Sequence, residues 1–169
     1  MKLVSFDELF LFLLSDIYLV ENQIVKQLPL IMEKTYSDEL KNTLNTHLNE
    51  TQEQIKRLDN IFQLLKKQPQ QVEWSNDLKN LFNDCNVLLK DNSPSPLLDA
   101  AIIAVVQRIE HFEIATYGTL REFSKILDHE DVTDLLKETL KEESKADTLL
   151  TKLAEGGMFK KGINLEAAR

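Results

Sequence analysis

Residues 107–120 read QRIEHFEIATYGTL, and this stretch places charge where a helical core requires apolar side chains. Positions Ile103, Val106, Glu110, Glu113, Tyr117 and Leu120 step by three, four, three, four and three, so on a helix they form one continuous stripe. Four of the six suit a core, and the two in the middle are carboxylates. Taking an ionised carboxylate out of water costs several kcal/mol unless something positive compensates it. Either this stripe faces water, or a cation lies opposite it.

The same pattern recurs along the chain. Ser5 and Glu8 form a capping box for a first helix, whose stripe Phe10, Leu14, Ile17, Glu21, Ile24 and Leu28 also carries an acid in its middle. Pro29 predicts a kink or an end, although the apolar pattern resumes at Ile31 and Met32. Ser37 caps a second helix over residues 38–67, with the stripe Leu40, Leu44, His47, Glu50 or Thr51, Gln54, Leu58, Ile61 and Leu65. A Gln-rich linker over 66–73 leads to a short amphipathic helix, from a Ser75 cap through Leu78, Leu81, Phe82, Cys85, Leu88 and Leu89. Ser95 and Pro96 open the helix of the quoted stretch, over 97–127. Asp131 is the expected cap of the last long helix, with the stripe Leu136, Leu140, Glu143, Asp147, Leu150 and Ala154. A rotated helix would turn Glu142 inward instead of Glu143. Gly156 and Gly157 end it, dividing a helical bundle over 1–157 from a tail over 158–169 that Ile163 and Leu165 either dock or leave loose.

Composition agrees with an all-α protein. Among 169 residues only four are Gly and four Pro, against 43% hydrophobic and 28% charged residues. A formal charge of −8 argues against nucleic acid as the main partner, since phosphate binding needs clustered Lys and Arg. The single cysteine, Cys85, excludes an intramolecular disulfide and fits a reducing cytoplasm. The apolar run over 9–14 has Asp7 and Glu8 before it and Asp16 after it, so it does not read as a leader. No stretch approaches the ~20 apolar residues of a membrane span.

Roughly thirty residues separate the second long helix from the third, against a few between the first and second. Such a connection lets the second and third helices run parallel, the one-crossover topology of ferritin-like four-helix bundles, here with a short fifth helix in the crossover. Within the first hairpin Glu21 and Glu50 lie about fourteen residues either side of the turn, each roughly 20 Å from it. Within the second, Glu110 and Glu113 lie level with Glu143 and Asp147. The height of one hairpin against the other is set by the crossover. Six carboxylates in one layer cannot all be ionised and dry, and divalent cations held by oxygen and imidazole are an economical remedy. Acids spaced by three or four on facing helices suit a dinuclear site. The plain alternatives are solvated helix faces for the acids and hydrogen-bonded core positions for His47 and Tyr117. Tyr117 and Gln54 also fit an outer shell around a ligand carboxylate.

The segments LLSDIYLVENQ (13–23), HLNETQEQIKRL (47–58), IEHFEIATYGTL (109–120) and LLKETLKEESKAD (135–147) resemble the bacterial ferritin-like family typified by the stress-associated proteins YciE and YciF. The resemblance implies a four-helix bundle with a fifth helix in the crossover, pairing as a homodimer, a di-metal centre and a link to stress responses. By that resemblance Glu21 matches the acid of the first ferritin-like helix, Glu50 that of the second, Glu110 and Glu113 the pair on the third, and Glu143 the acid of the fourth. Ferritin-like oxidases add a His three or four residues after the acids of the second and fourth helices. Here those places hold Glu53 or Gln54, and Lys145, Ala146 or Asp147, while His47 precedes Glu50 by one turn and reaches only an outer position. The expected site is two metal ions, iron first with manganese or zinc as alternatives, on Glu21, Glu50, Glu110, Glu113, Glu143 and Asp147, with His47, Gln54 and Tyr117 around them. If reactive, it would handle iron or peroxide as an oxidase or peroxidase. The competing expectation is a non-enzymatic bundle whose acids form a hydrated, proton-sharing layer.

Overall fold

The Oγ of Ser5 accepts the backbone N–H of Glu8 at 3.1 Å and opens α1 (Phe6–Lys34). Pro29 stands inside this helix without ending it. It lies on the exposed face, where the carbonyl left without its helical N–H can turn to water. Ser37 caps α2 (Asp38–Leu64) through Leu40 N–H at 3.4 Å, and Ser95 caps α4 (Pro96–Ile126) through Leu98 N–H at 3.2 Å. Between them runs α3 (Asn76–Asp91), which presses Leu81, Phe82, Cys85 and Leu89 inward. This structure, a computed structural model, describes residues 4–71, 76–157 and 160–169, so the expected cap Ser75 and the side chain of Leu78 lie outside the described residues.

The last long helix, α5 (Glu130–Glu155), begins one residue before its expected cap. Asp128 takes a left-handed backbone (φ 56°), which turns the chain tightly enough for His129 to become the N-cap. Asp131 instead sits in the first turn, where its charge complements the helix N-terminus. After α5, Gly156–Gly157 (β1) pairs antiparallel with Lys160–Lys161 (β2), and α6 (Ile163–Ala167) follows. Gly156 has a φ of 79°, and a Cβ there would run into the backbone of Gly162. The α6 helix packs on α4 and α5 with Ile163 buried and Leu165 exposed, so this part of the expected tail is docked on the bundle.

One side chain sets the two hairpins against each other. Asp99, fully buried in the first turn of α4, accepts Tyr36 N–H through Oδ1 at 2.8 Å and Ser37 N–H through Oδ2 at 2.7 Å. The start of α4 therefore lies beside the α1–α2 turn. At the opposite end Phe6 meets Phe123, with ring centroids 4.5 Å apart, and Phe10 meets His129 at 6.4 Å. Helices α2 and α4 thus run parallel across the crossover, as expected of a ferritin-like topology. Helix α1 packs between α2 and α4, and α5 does the same on the opposite side, so every neighbouring pair is antiparallel. Apolar layers fill both ends: Leu28, Ile31, Leu40, Leu44, Ile103 and Leu150 toward Asp99, and Phe10, Leu14, Leu58, Ile61, Leu120 and Leu136 toward His129. The charged layer is enclosed between them.

Candidate metal centre

Each long helix turns its polar mid-stripe into the same layer. From α1 comes Glu21, from α4 Glu110, Glu113 and Tyr117, and from α5 Glu143, all at 0% exposure. From α2 come Thr51 and Gln54, also at 0%, and His47 at 4%. His47 Nε2 lies 3.2 Å from Glu110 Oε1. One donor atom from each of His47, Glu110, Glu113 and Glu143 falls within 4.8 Å of the others, close enough to share an ion. Glu21 adjoins this group, with Tyr117 Oη donating to its Oε1. On the α2–α5 side Gln54 Nε2 donates to Glu143 Oε1 and, at 3.0 Å, to Glu142 Oε2.

Among the described residues no Lys or Arg pairs with the carboxylates of the cluster. Arg57, on the same seam, directs its guanidinium at Glu142 (2.9 and 3.1 Å) and at Thr139 Oγ1 (2.7 Å). Burial first, and the charge of Glu143 second, raises Glu21, Glu110 and Glu113 well above the ordinary glutamate value. Burial also lifts Glu143 to about 7, with its hydrogen bond from Gln54 opposing the rise. Burial lowers His47 to about 4, so its imidazole is neutral at physiological pH and its nitrogen lone pair is available. Burial and then the Glu21 charge push the Tyr117 phenol well above its usual value, which keeps it a proton donor.

Two expected ligands stand elsewhere. Glu50 is part-exposed on the α2–α5 seam and pairs with Lys145 Nζ at 3.0 Å. Asp147 is also part-exposed, accepting Gln107 Nε2 at 3.0 Å with His111 Nε2 at 3.2 Å. The cause is helical phase. At 100° per residue Glu50 points roughly 70–80° from the mean direction of the buried α2 stripe, whereas His47 lies within about 20° of it. Asp147 stands about 55° off the buried stripe of α5, and Glu143 nearly on it. Glu143 rather than Glu142 therefore faces the core, and His47, expected at an outer position, enters the cluster itself. Gln54 contacts Glu143 and Tyr117 contacts Glu21 within the layer.

The donors suit a metal. Six carboxylate oxygens, Glu21 Oε2, both of Glu110, both of Glu113 and Glu143 Oε2, are buried without a hydrogen-bond donor among the described residues. Four carboxylates and one imidazole make an oxygen-rich set for hard or borderline divalent cations. Cys85 takes no part: it is buried on α3, and burial pushes its thiol up to about 11.

The fold and this layer define an all-α, ferritin-like four-helix bundle with a buried carboxylate–histidine group able to hold metal. The chain belongs to the family described as a domain of unknown function, DUF892, whose profile matches residues 5–167. It is 33% identical to the protein YciF of Escherichia coli over 164 residues, 97% of this chain and 99% of that one. The crystal structure of that stress protein superposes with a TM-score of 0.84 at 32% identity, covering 89% of this chain and 95% of that chain. YcfI from Rhodopseudomonas palustris gives the same TM-score at 37% identity, over 90% of this chain and 97% of its own. A Xanthomonas campestris protein at 17% identity shares the fold, with a TM-score of 0.68. Among the described residues no helix is long and apolar enough to cross a membrane.

Proposed function

We propose that this protein holds two divalent metal ions in the bundle core, on Glu21, Glu110, Glu113, Glu143 and His47. The observation that carries this reading is the set of four fully buried carboxylates with six unpartnered oxygens beside a neutral imidazole. Two divalent ions carry as much positive charge as four carboxylates carry negative, while one would leave two acids to be neutralised by protons. Iron is the first choice, with manganese or zinc as alternatives, because one imidazole among carboxylates favours hard and borderline ions. When bound, such a pair supplies Lewis acidity and, for iron or manganese, electron transfer of use in handling iron or peroxide.

The chain's own residues prepare this site. Tyr117 holds Glu21 in place by donating to one oxygen and leaving the other open. Gln54 does the same for Glu143. The apolar layers on either side exclude bulk water, which strengthens every interaction inside. We extend to this chain the stress association of its Escherichia coli relative, and read it as a cytoplasmic homodimer. Light scattering that returned a monomer would refute the pairing.

Metal analysis of protein purified without chelator tests the centre, beside the Glu110→Ala, Glu113→Ala double variant. About two metals per chain are expected for wild type and none for the variant. At a hundredfold excess over Kd, added Fe²⁺ or Mn²⁺ should stabilise wild type by about 2.7 kcal/mol at each of two sites, about 5 kcal/mol in all and roughly 10–20 °C in Tm. Fewer than about half a metal per chain with an unmoved Tm overturns the reading. It would favour the second one, a proton-sharing polar layer, to which the raised Glu21, Glu110 and Glu113 also belong.

A further inference from the structure

A cavity of about 10 Å³ lies between α1, α2, α3 and α4, and its lining is apolar except for Gln27 and His47. The other walls are Ile24, Leu28, Ile31, Phe82, Val106 and Ile109. Gln27 is 8% exposed, and its Oε1 has no hydrogen-bond partner among the described residues. A leucine would fill the same apolar wall without enclosing an amide, so packing alone does not account for the glutamine. A buried carbonyl oxygen needs a donor, and the imidazole is the polar group sharing its cavity. His47 turns Nε2 to Glu110, which leaves Nδ1 as the ring nitrogen for a second partner.

We propose that Gln27 is the positioning residue for His47. A water molecule in their shared cavity, which has room for about one, accepts the Nδ1–H and donates to Gln27 Oε1. Fixing the proton on Nδ1 leaves the Nε2 lone pair directed at the carboxylate cluster, ready for a cation. A ligating imidazole commonly donates its other N–H to an oxygen in this way, which sets its tautomer and ring angle. The inference rests on the metal-centre reading for its purpose, but the hydrogen bonding it invokes does not require metal.

The test uses chelator-treated protein with ¹⁵N-labelled histidine, comparing wild type, Gln27→Leu and Gln27→Glu, each checked for helical content. Two-bond ¹H–¹⁵N correlation spectra should show His47 as the Nδ1–H tautomer in wild type. Gln27→Leu should shift the tautomer toward Nε2–H and weaken Mn²⁺ binding by about 10- to 100-fold. Gln27→Glu keeps an acceptor oxygen at similar reach, so it should keep the Nδ1–H tautomer. An Nε2–H tautomer in wild type overturns the proposal, as does a Gln27→Leu protein with unchanged tautomer and affinity. If Gln27→Leu fails to fold, the wild-type and Gln27→Glu spectra still decide. Wild type that takes up no metal sinks the metal-centre reading, while the tautomers of the metal-free proteins still judge Gln27.

Discussion

Stripped of metal, the protein should lose stability as pH rises from 5.5 to 7.5, because its buried acids hold protons that the unfolded chain releases. Glu21, Glu110 and Glu113 are raised well above 4.5 by burial and by the charge of Glu143, and burial lifts Glu143 to about 7. Each stabilises the fold fully below its unfolded value, and that contribution is lost as pH climbs toward its folded one. His47 acts in the opposite sense: burial lowers it from 6.5 to about 4, so its contribution is present above 6.5 and lost as pH falls toward 4. Glu143, moved from 4.5 to about 7, and His47, moved from 6.5 to about 4, nearly cancel between 4.5 and 6.5. The remaining slope belongs to Glu21, Glu110 and Glu113, joined by Glu143 between 6.5 and about 7. Each retained proton is worth about 1.4 kcal/mol per pH unit, so one held across two units removes about 3 kcal/mol. Urea unfolding followed by circular dichroism, with chelator present, measures this directly. Saturating Mn²⁺ should reverse the slope, since metal displaces those protons and binds better as pH rises. A chelated protein whose urea midpoint stays flat or rises across this range, at constant m-value, refutes the placement of four uncompensated acids in the core.

Four substitutions probe the layer and its surroundings. Tyr117→Phe removes the donor to Glu21 and should cost the metal-free protein about 1–3 kcal/mol in urea unfolding while leaving metal stoichiometry intact. Asp99→Ala unpairs the backbone N–H groups of Tyr36 and Ser37 at the junction of the two hairpins; a loss of about 2–4 kcal/mol is expected, and a change below about 0.5 kcal/mol would show that the register is held elsewhere. Glu50→Gln removes only an exposed ion pair with Lys145, so metal content should not change and stability should move by less than about 1 kcal/mol, whereas Glu113→Gln should reduce metal content. A drop in metal content on Glu50→Gln contradicts its place outside the cluster.

The fold is legible in the sequence because its cues are local. The serine caps at Ser5, Ser37 and Ser95 each accept a backbone N–H as their spacing implies, and the apolar stripes of the four long helices are buried except at Leu65 and Leu140, which are partly buried against the core. Features that depend on distant partners or on loop conformation are not legible in this way. Asp99 carries no signal in sequence beyond an acid in a first helical turn, where it reads as a complement to the helix dipole. Its actual partners lie 62 and 63 residues away, and they level the two hairpins. Likewise the left-handed Asp128 moves the start of α5, a choice made by one backbone dihedral that periodicity does not register.

Glu50 and His47 show where the site departs from the pattern. Matching an acid on the second helix to an acid on the first is natural when only height is compared, and Glu50 lies level with Glu21. Height leaves the azimuth open, and a residue one turn from the correct height can still lie on the correct face. Leu40, Leu44, Thr51, Gln54 and Leu58 define that face closely enough to select His47 over Glu50, provided their phase is averaged around the helix rather than followed in steps of three or four. The exchange alters the chemistry of the layer. Exchanging Glu50 for His47, and moving Asp147 to the rim, leaves four acids and one neutral nitrogen in place of six acids. Six carboxylates would leave two ions short by two charges, whereas four balance them. On the proposed reading, the residues that meet in the core would therefore balance two divalent ions more closely than six acids at the same height.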